Sequence, residues 1–120
     1  MVQYGATSQA DENLASELRR GALVLAVLAQ LHEAQYGYSL KQRLAEAGLE
    51  IPEGTLYPLL RRLEAQGLVT SEWQVIDEVR PRRYYLLNAQ GQTVLAQLAA
   101  EWRGLVAVLD RLLAAQENER

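Results

Sequence analysis

Gly54-Thr-Leu-Tyr-Pro-Leu-Leu-Arg-Arg-Leu-Glu-Ala-Gln-Gly-Leu-Val69 and Arg80-Pro-Arg-Arg-Tyr-Tyr-Leu-Leu87 are the stretches on which the fold turns. In the first, Leu56, Leu59, Leu60 and Leu63 recur at the spacing of one helix face, and Gly67 supplies a stop. The other face carries Tyr57, Arg61 and Arg62. Pro58 is expected within about the first turn, where its missing N–H does little harm. The second stretch is basic and rich in β-formers. Val69, Ser71, Trp73 and Val75 alternate with polar positions, so a hairpin is expected. Its tip falls at Asp77 to Pro81 and its returning strand at Arg82 to Leu87.

Upstream, residues 1–9 have no periodicity and read as a disordered tail. Ala10 to Arg19 predicts a short helix with Leu14 and Leu18 on one face and Asp11 and Glu12 at its start. Arg20 to Glu33 is apolar almost all round and predicts a second, buried helix. Tyr36-Gly37-Tyr38 interrupts the pattern. Ser39 to Ala47 resumes it with Leu40 and Leu44, and Gly48 is a plausible C′ stop. Leu49 to Glu53 is the turn into the leucine-faced helix.

Downstream, Asn88 is placed to cap a last helix over 89–115, about 40 Å long at 1.5 Å per residue. Its apolar residues repeat at sevens. Leu95, Trp102 and Leu109 form one row, Leu98, Leu105 and Leu112 a second, and Ala99, Val106 and Leu113 a third. Three rows are wider than a two-stranded seam and match a multi-helix bundle. A small chain cannot cover that stripe alone, and a two-fold dimer is the economical solution. The dimer interface is expected at Leu95, Leu98, Trp102, Leu105, Leu109 and Leu112.

These elements make a mainly α chain with a small β-hairpin, laid out as a winged helix-turn-helix (10–88) followed by a dimerisation helix (89–120). That layout points to double-stranded DNA, one helix entering the major groove while the wing grips flanking phosphates. The candidate contacts are Thr55, Tyr57, Pro58, Arg61 and Arg62 on the helix and Arg80, Arg82 and Arg83 on the wing. Side chains alternate along a strand, and Tyr85 and Leu87 share Arg83's face. Arg83 is therefore assigned to the core side, leaving Arg82 as the stronger wing contact. Arg61 and Arg62 alone would read as a solvated helix face. The preceding helices and the basic hairpin reverse that reading.

Composition sets bounds. The 120 residues suit one domain, and the net charge of −3 lowers non-specific affinity for DNA without excluding it. Between Arg61 and Tyr84 five arginines face Glu64, Glu72, Asp77 and Glu78, and a local field counts for more than the total. Cysteine is absent and His32 is the one histidine, so no disulfide framework or metal cofactor is expected. The serines lack a G-x-S-x-G context and no glycine-rich phosphate loop follows a strand, so enzymatic function has no support. The longest apolar run, Gly21 to Ala29, is half of a membrane span, and no secretion signal opens the chain. A cytoplasmic protein without membrane insertion is expected.

The words Tyr36-Gly37-Tyr38, Gly54-Thr55-Leu56-Tyr57-Pro58, Arg62-Leu63-Glu64 with Gly67-Leu68, and Pro81-Arg82-Arg83-Tyr84-Tyr85 jointly resemble the PadR family of bacterial transcription regulators. The likeness runs from about Arg20 to Trp102, and the single terminal helix is similar to the family's shorter form. It implies a homodimeric repressor that binds an inverted repeat, often of the ATGT/ACAT type, and leaves it when a small molecule binds. In multidrug-binding members a tryptophan stands at the dimer centre, and Trp102 matches that position. An effector slot for a planar hydrophobic compound is accordingly expected at Trp102, Ala99 and Val106, with Leu14 or Leu18. Asp77-Glu78-Val79 departs from the glycine usual before Arg-Pro, and Leu86 stands where a basic residue is common. Two alternatives remain: a dimeric binding module whose winged helix no longer reads DNA, and a MarR-like or ArsR-like regulator.

Overall fold

The computed structural model describes residues 9–75 and 80–118. Its elements are α1 (Gln9–Gln30), β1 (Gln35–Tyr36), α2 (Gly37–Glu46), α3 (Glu53–Ala65), β2 (Val69–Gln74), β3 (Arg82–Leu87) and α4 (Ala89–Asn118). The three strands form an antiparallel sheet in the order β1-β3-β2. Leu56, Leu59, Leu60 and Leu63 of α3 are buried in one core with Val27, Leu28, Leu31, Leu40, Leu44 and Ile51. Leu68, Val69, Tyr85 and Leu87 extend that core under the sheet. No described helix is long and apolar enough to cross a membrane.

Several local expectations hold. The returning strand spans Arg82 to Leu87, and Gly67, at φ +79°, follows the last turn of α3 in a conformation that favours glycine. Asn88 caps α4 by accepting the Gly91 N–H at 2.8 Å, and its amide donates to the Gly67 carbonyl at 2.9 Å. One residue thus ties the start of α4 to the end of α3.

Four expectations are corrected. The segments 10–19 and 20–33 form one helix rather than two, because a lone Gly21 costs only about 1 kcal/mol and nothing else breaks the run. Helix α2 begins at Gly37 rather than Ser39, since Tyr36 is already in the extended N-cap position and its N–H donates to the Ser39 hydroxyl at 3.2 Å. Strand β1 makes the hairpin a three-stranded sheet, pairing Gln35 with Tyr85 and Tyr36 with Tyr84. The buried Gln35 side chain accepts from Ser39 Oγ at 2.9 Å. Finally, α3 starts at Glu53, which puts Pro58 in its second turn rather than its first. The carbonyl that loses a partner belongs to Gly54. Gly54 and Pro58 are both exposed, so water satisfies it. The expected tail falls on residues 1–8, outside the described residues, save Gln9, the first residue of α1. Of the expected hairpin tip, 77–79 lie outside them too.

Helix α4 meets the sheet without room to spare. A Cβ at Gly91 would overlap the Leu68 carbonyl oxygen and crowd the Leu87 side chain. Gly91→Ala is expected to destabilise the fold by about 1–3 kcal/mol, as overpacking does. Denaturant unfolding would show a lower midpoint, and an unchanged midpoint would contradict this contact.

Candidate nucleic-acid interface

With four leucines facing the core, α3 turns a ridge of Gly54, Thr55, Pro58, Arg61 and Arg62 to solvent. Arg61, Arg62 and Arg80 have no ion pair among the described residues. The ridge therefore carries free cations and open hydrogen-bond donors.

Tyr57 is placed differently from its neighbours. Its ring lies against Gly37 so closely that a Cβ there would overlap it, and it is half-buried. Much of Tyr57 is spent on locking α3 to the start of α2. Its remaining surface faces a groove of about 390 Å³ between α3 and the wing, shared with Arg61, Trp73, Arg82 and Arg83.

The two wing arginines do separate jobs, as strand alternation requires. Arg82 is exposed, with its guanidinium carbon 4.4 Å from the centre of the Tyr36 ring, a cation–π contact. Tyr36 in turn meets Tyr84 edge-on at 5.4 Å and stacks with Tyr38 at 6.3 Å. Arg82 is thus oriented while its charge stays in solvent. Arg83 turns inward, its Nη2 donating to Glu64 Oε1 at 2.9 Å and its Nε to Ser71 Oγ at 2.9 Å. Ser71 Oγ completes the ring by donating to Glu64 Oε2 at 2.5 Å. This triangle joins the end of α3 to both long strands. Beside it, burial pushes the Tyr85 phenol pKa up, opposed by the Arg83 charge, so the ring stays neutral.

The structure thus brings Thr55, Pro58, Arg61, Arg62, Arg80 and Arg82 to exposed positions around α3 and the wing, and turns Arg83 to another task. Trp73 was missed at the sequence level. It is 66% exposed, and its pairing with Arg83 across β2 and β3 places it in the groove. The strand alternation already put it on the face of Ser71, which was the available signal.

A second region lies between α1 and α4, a crevice of about 590 Å³ with a strongly apolar lining. Trp102, Val106 and Leu18 line it with Leu25, Leu98, Leu105 and Leu109, and Glu17 and Glu101 stand at its border. Ala99 and Leu14 are not among its lining residues. Leu95 packs against the core, whereas Leu98, Leu105, Leu109 and Leu112 remain exposed in the single chain.

The family model described as Transcriptional regulator PadR-like family matches residues 24–97, the span from α1 through the first turns of α4. The chain belongs to the PadR-like family of transcriptional regulators. This PadR-family chain is 39% identical over 103 residues to Transcriptional regulator Rv3488 of Mycobacterium tuberculosis, covering 85% of this chain and 92% of that protein. Its fold matches a PadR-family transcriptional regulator from Eggerthella lenta with a TM-score of 0.78 and 44% identity, over 88% of this chain and 97% of the other. A PadR-like transcription factor from Bacteroides fragilis matches with a TM-score of 0.70 and 38% identity, over 83% and 98%.

The Arg83–Glu64–Ser71 triangle is the one described ion pair joining α3 to the sheet. A double-mutant cycle of Arg83→Ala and Glu64→Ala is expected to give a coupling energy of about 1 kcal/mol, the pair being partly solvated. Strictly additive losses in thermal unfolding would show that the triangle does not tie the wing to α3.

Proposed function

We propose that this PadR-family chain is a homodimeric repressor that binds an inverted-repeat operator and is released by a planar hydrophobic effector. The observation that carries this reading is a single chain displaying two uncovered surfaces of complementary use. One is the free arginine ridge of α3 with Arg82 beside it. The other is the apolar face of α4, where Leu112 is 62% exposed, together with Leu18 of α1 at 73%. A second copy is the natural cover for the latter, because the stripe is self-complementary in its heptad spacing. Leu98, Trp102, Leu105, Leu109 and Leu112 would form the seam, with Leu95 at its inner end.

In that dimer Arg61 and Arg62 sit where base edges are read, Thr55 and Pro58 approach the same groove, and Arg80 and Arg82 hold phosphates. Tyr57 contributes the open part of its ring, and Arg83 acts by fixing the wing. Two recognition helices about 34 Å apart would read half-sites roughly 10 bp apart. The effector site is assigned to the α1–α4 crevice around Trp102, Val106 and Leu18, whose walls suit a flat apolar compound. Ala99 and Leu14 would belong to it only through the second copy. An effector there lowers DNA affinity by the difference in its affinity for the two dimer shapes.

Sedimentation and footprinting test the dimer and the operator together. Wild type is expected to sediment as a dimer at micromolar concentration and to protect a palindrome upstream of its own gene. Leu105→Glu, which places a charge in the seam at a cost of several kcal/mol, should be monomeric and lose the footprint. A wild-type monomer would refute the seam.

The effector site is tested by fluorescence, which is tractable because the chain has two tryptophans. Planar aromatic dyes should quench wild-type emission, and Trp102→Ala should lose the response while remaining dimeric. Quenching that survives in Trp102→Ala and vanishes in Trp73→Ala would move the site to the wing.

A further inference from the structure

We propose that Arg19 and Arg20 of α1, with Lys41 of α2, form a second phosphate-gripping edge for duplex DNA on the side of α3 opposite the wing. The inference rests on the DNA-binding reading above and adds a surface outside the recognition helix and hairpin.

An open crevice of about 420 Å³ separates α1 from the start of α3, with Arg19, Arg20, Lys41, Pro52 and Thr55 in its walls. It adjoins a groove of about 370 Å³ in which Arg20 stands across from Thr55, Pro58 and Arg62. Arg20 and Thr55 belong to both. The exposed ridge of α3 is therefore one wall of a channel whose other wall is the arginine pair of α1.

The charge there is positive after its acids are counted. Arg19, Arg20, Lys41 and Arg62 face Glu50 in the lining and Glu53, which lies 3.9 Å from Lys41. Arg19, Arg20 and Arg62 have no ion pair among the described residues. Adjacent arginines on a helix are ordinarily a solvated face. These two differ because they border a cavity whose far wall is the proposed reading surface.

Geometry keeps the edge free in a dimer. At 100° per residue Arg19 and Arg20 point away from Leu18, which lines the crevice against α4. A helix seated in a major groove about 12 Å wide has a phosphate strand on each side. Arg80 and Arg82 serve the strand beside the wing. The channel of Arg19, Arg20 and Lys41 lies beside the other.

Such contacts are independent of sequence, so the test needs no operator. Full-length protein is titrated by fluorescence anisotropy with a labelled random-sequence duplex between about 50 and 200 mM salt. Two lost phosphate contacts should lower the slope of log K against log salt by up to about 1.8 in Arg19→Ala/Arg20→Ala, at about 0.9 per contact. Arg19→Lys/Arg20→Lys should keep most of the slope, and Lys41→Ala should lose about half as much as the alanine pair. A slope equal to wild type in the alanine pair overturns the edge while leaving the DNA-binding reading intact. Equal losses in Arg103→Ala/Arg111→Ala, which removes the same charge from α4, would also overturn it by assigning the effect to net charge. A wild-type chain that binds no duplex at the lowest salt overturns both readings at once.

Discussion

The burial of Leu56, Leu59, Leu60 and Leu63 beneath α3 is the interaction on which the other features rest. Each leucine removed from water contributes about 1.5–3 kcal/mol, so the four together match the whole net stability of a small domain. Turning α3 by one residue would exchange leucines for Arg61 or Pro58 in the core, at a cost the fold could not bear. The ridge of Gly54, Thr55, Pro58, Arg61 and Arg62 is therefore exposed by necessity. Pro58 conforms to the same logic. Its missing hydrogen bond falls on the wet face, where Gly54 can turn its carbonyl to water.

From that fixed helix the orientation of the other elements follows through short, specific ties. The Arg83–Glu64–Ser71 triangle and the Tyr57–Gly37 contact hold the wing and α2 against α3. Asn88 links the first turn of α4 to Gly67, and Gly91 lets α4 sit directly on Leu68 and Leu87. No flexible linker separates the arginine ridge from the apolar stripe. In the proposed dimer, a change in the angle between two α4 helices is thereby passed to the spacing of the α3 helices. The effector need not touch the DNA-reading residues to matter.

What could be read from the sequence was local. The leucine face of α3, the glycine stop at Gly67, the bounds of β3 and the Asn88 cap are each written within a few residues, and all match the structure. The inward turn of Arg83 was legible too, because strand alternation set it beside Tyr85 and Leu87. Strand β1 was not, since two residues carry no periodicity and their partners Tyr84 and Tyr85 lie far along the chain. The unbroken α1 was hidden by reading a change in burial at Arg20 as a change in structure. The heptad rows of α4 marked an apolar stripe. They could not say that Leu18 rather than Leu14 would line the crevice, which depends on where the two helices cross.

Charge placement reconciles an acidic chain with a nucleic-acid surface. The net charge is −3, yet the free arginines are not scattered. Arg61 and Arg62 lie on α3, Arg82 on one flank, and Arg19 and Arg20 on the other. Glu64, the acid best placed to weaken this field, is occupied by Arg83. Glu17 and Glu101 border the α1–α4 crevice instead, on the face of α1 turned away from Arg19 and Arg20. A phosphate backbone feels mainly charges within a Debye length of about 8–10 Å. Acids beyond that reach weaken long-range attraction to any polyanion without opposing close contact. The balance favours binding that depends on fit to the ridge over binding by bulk charge.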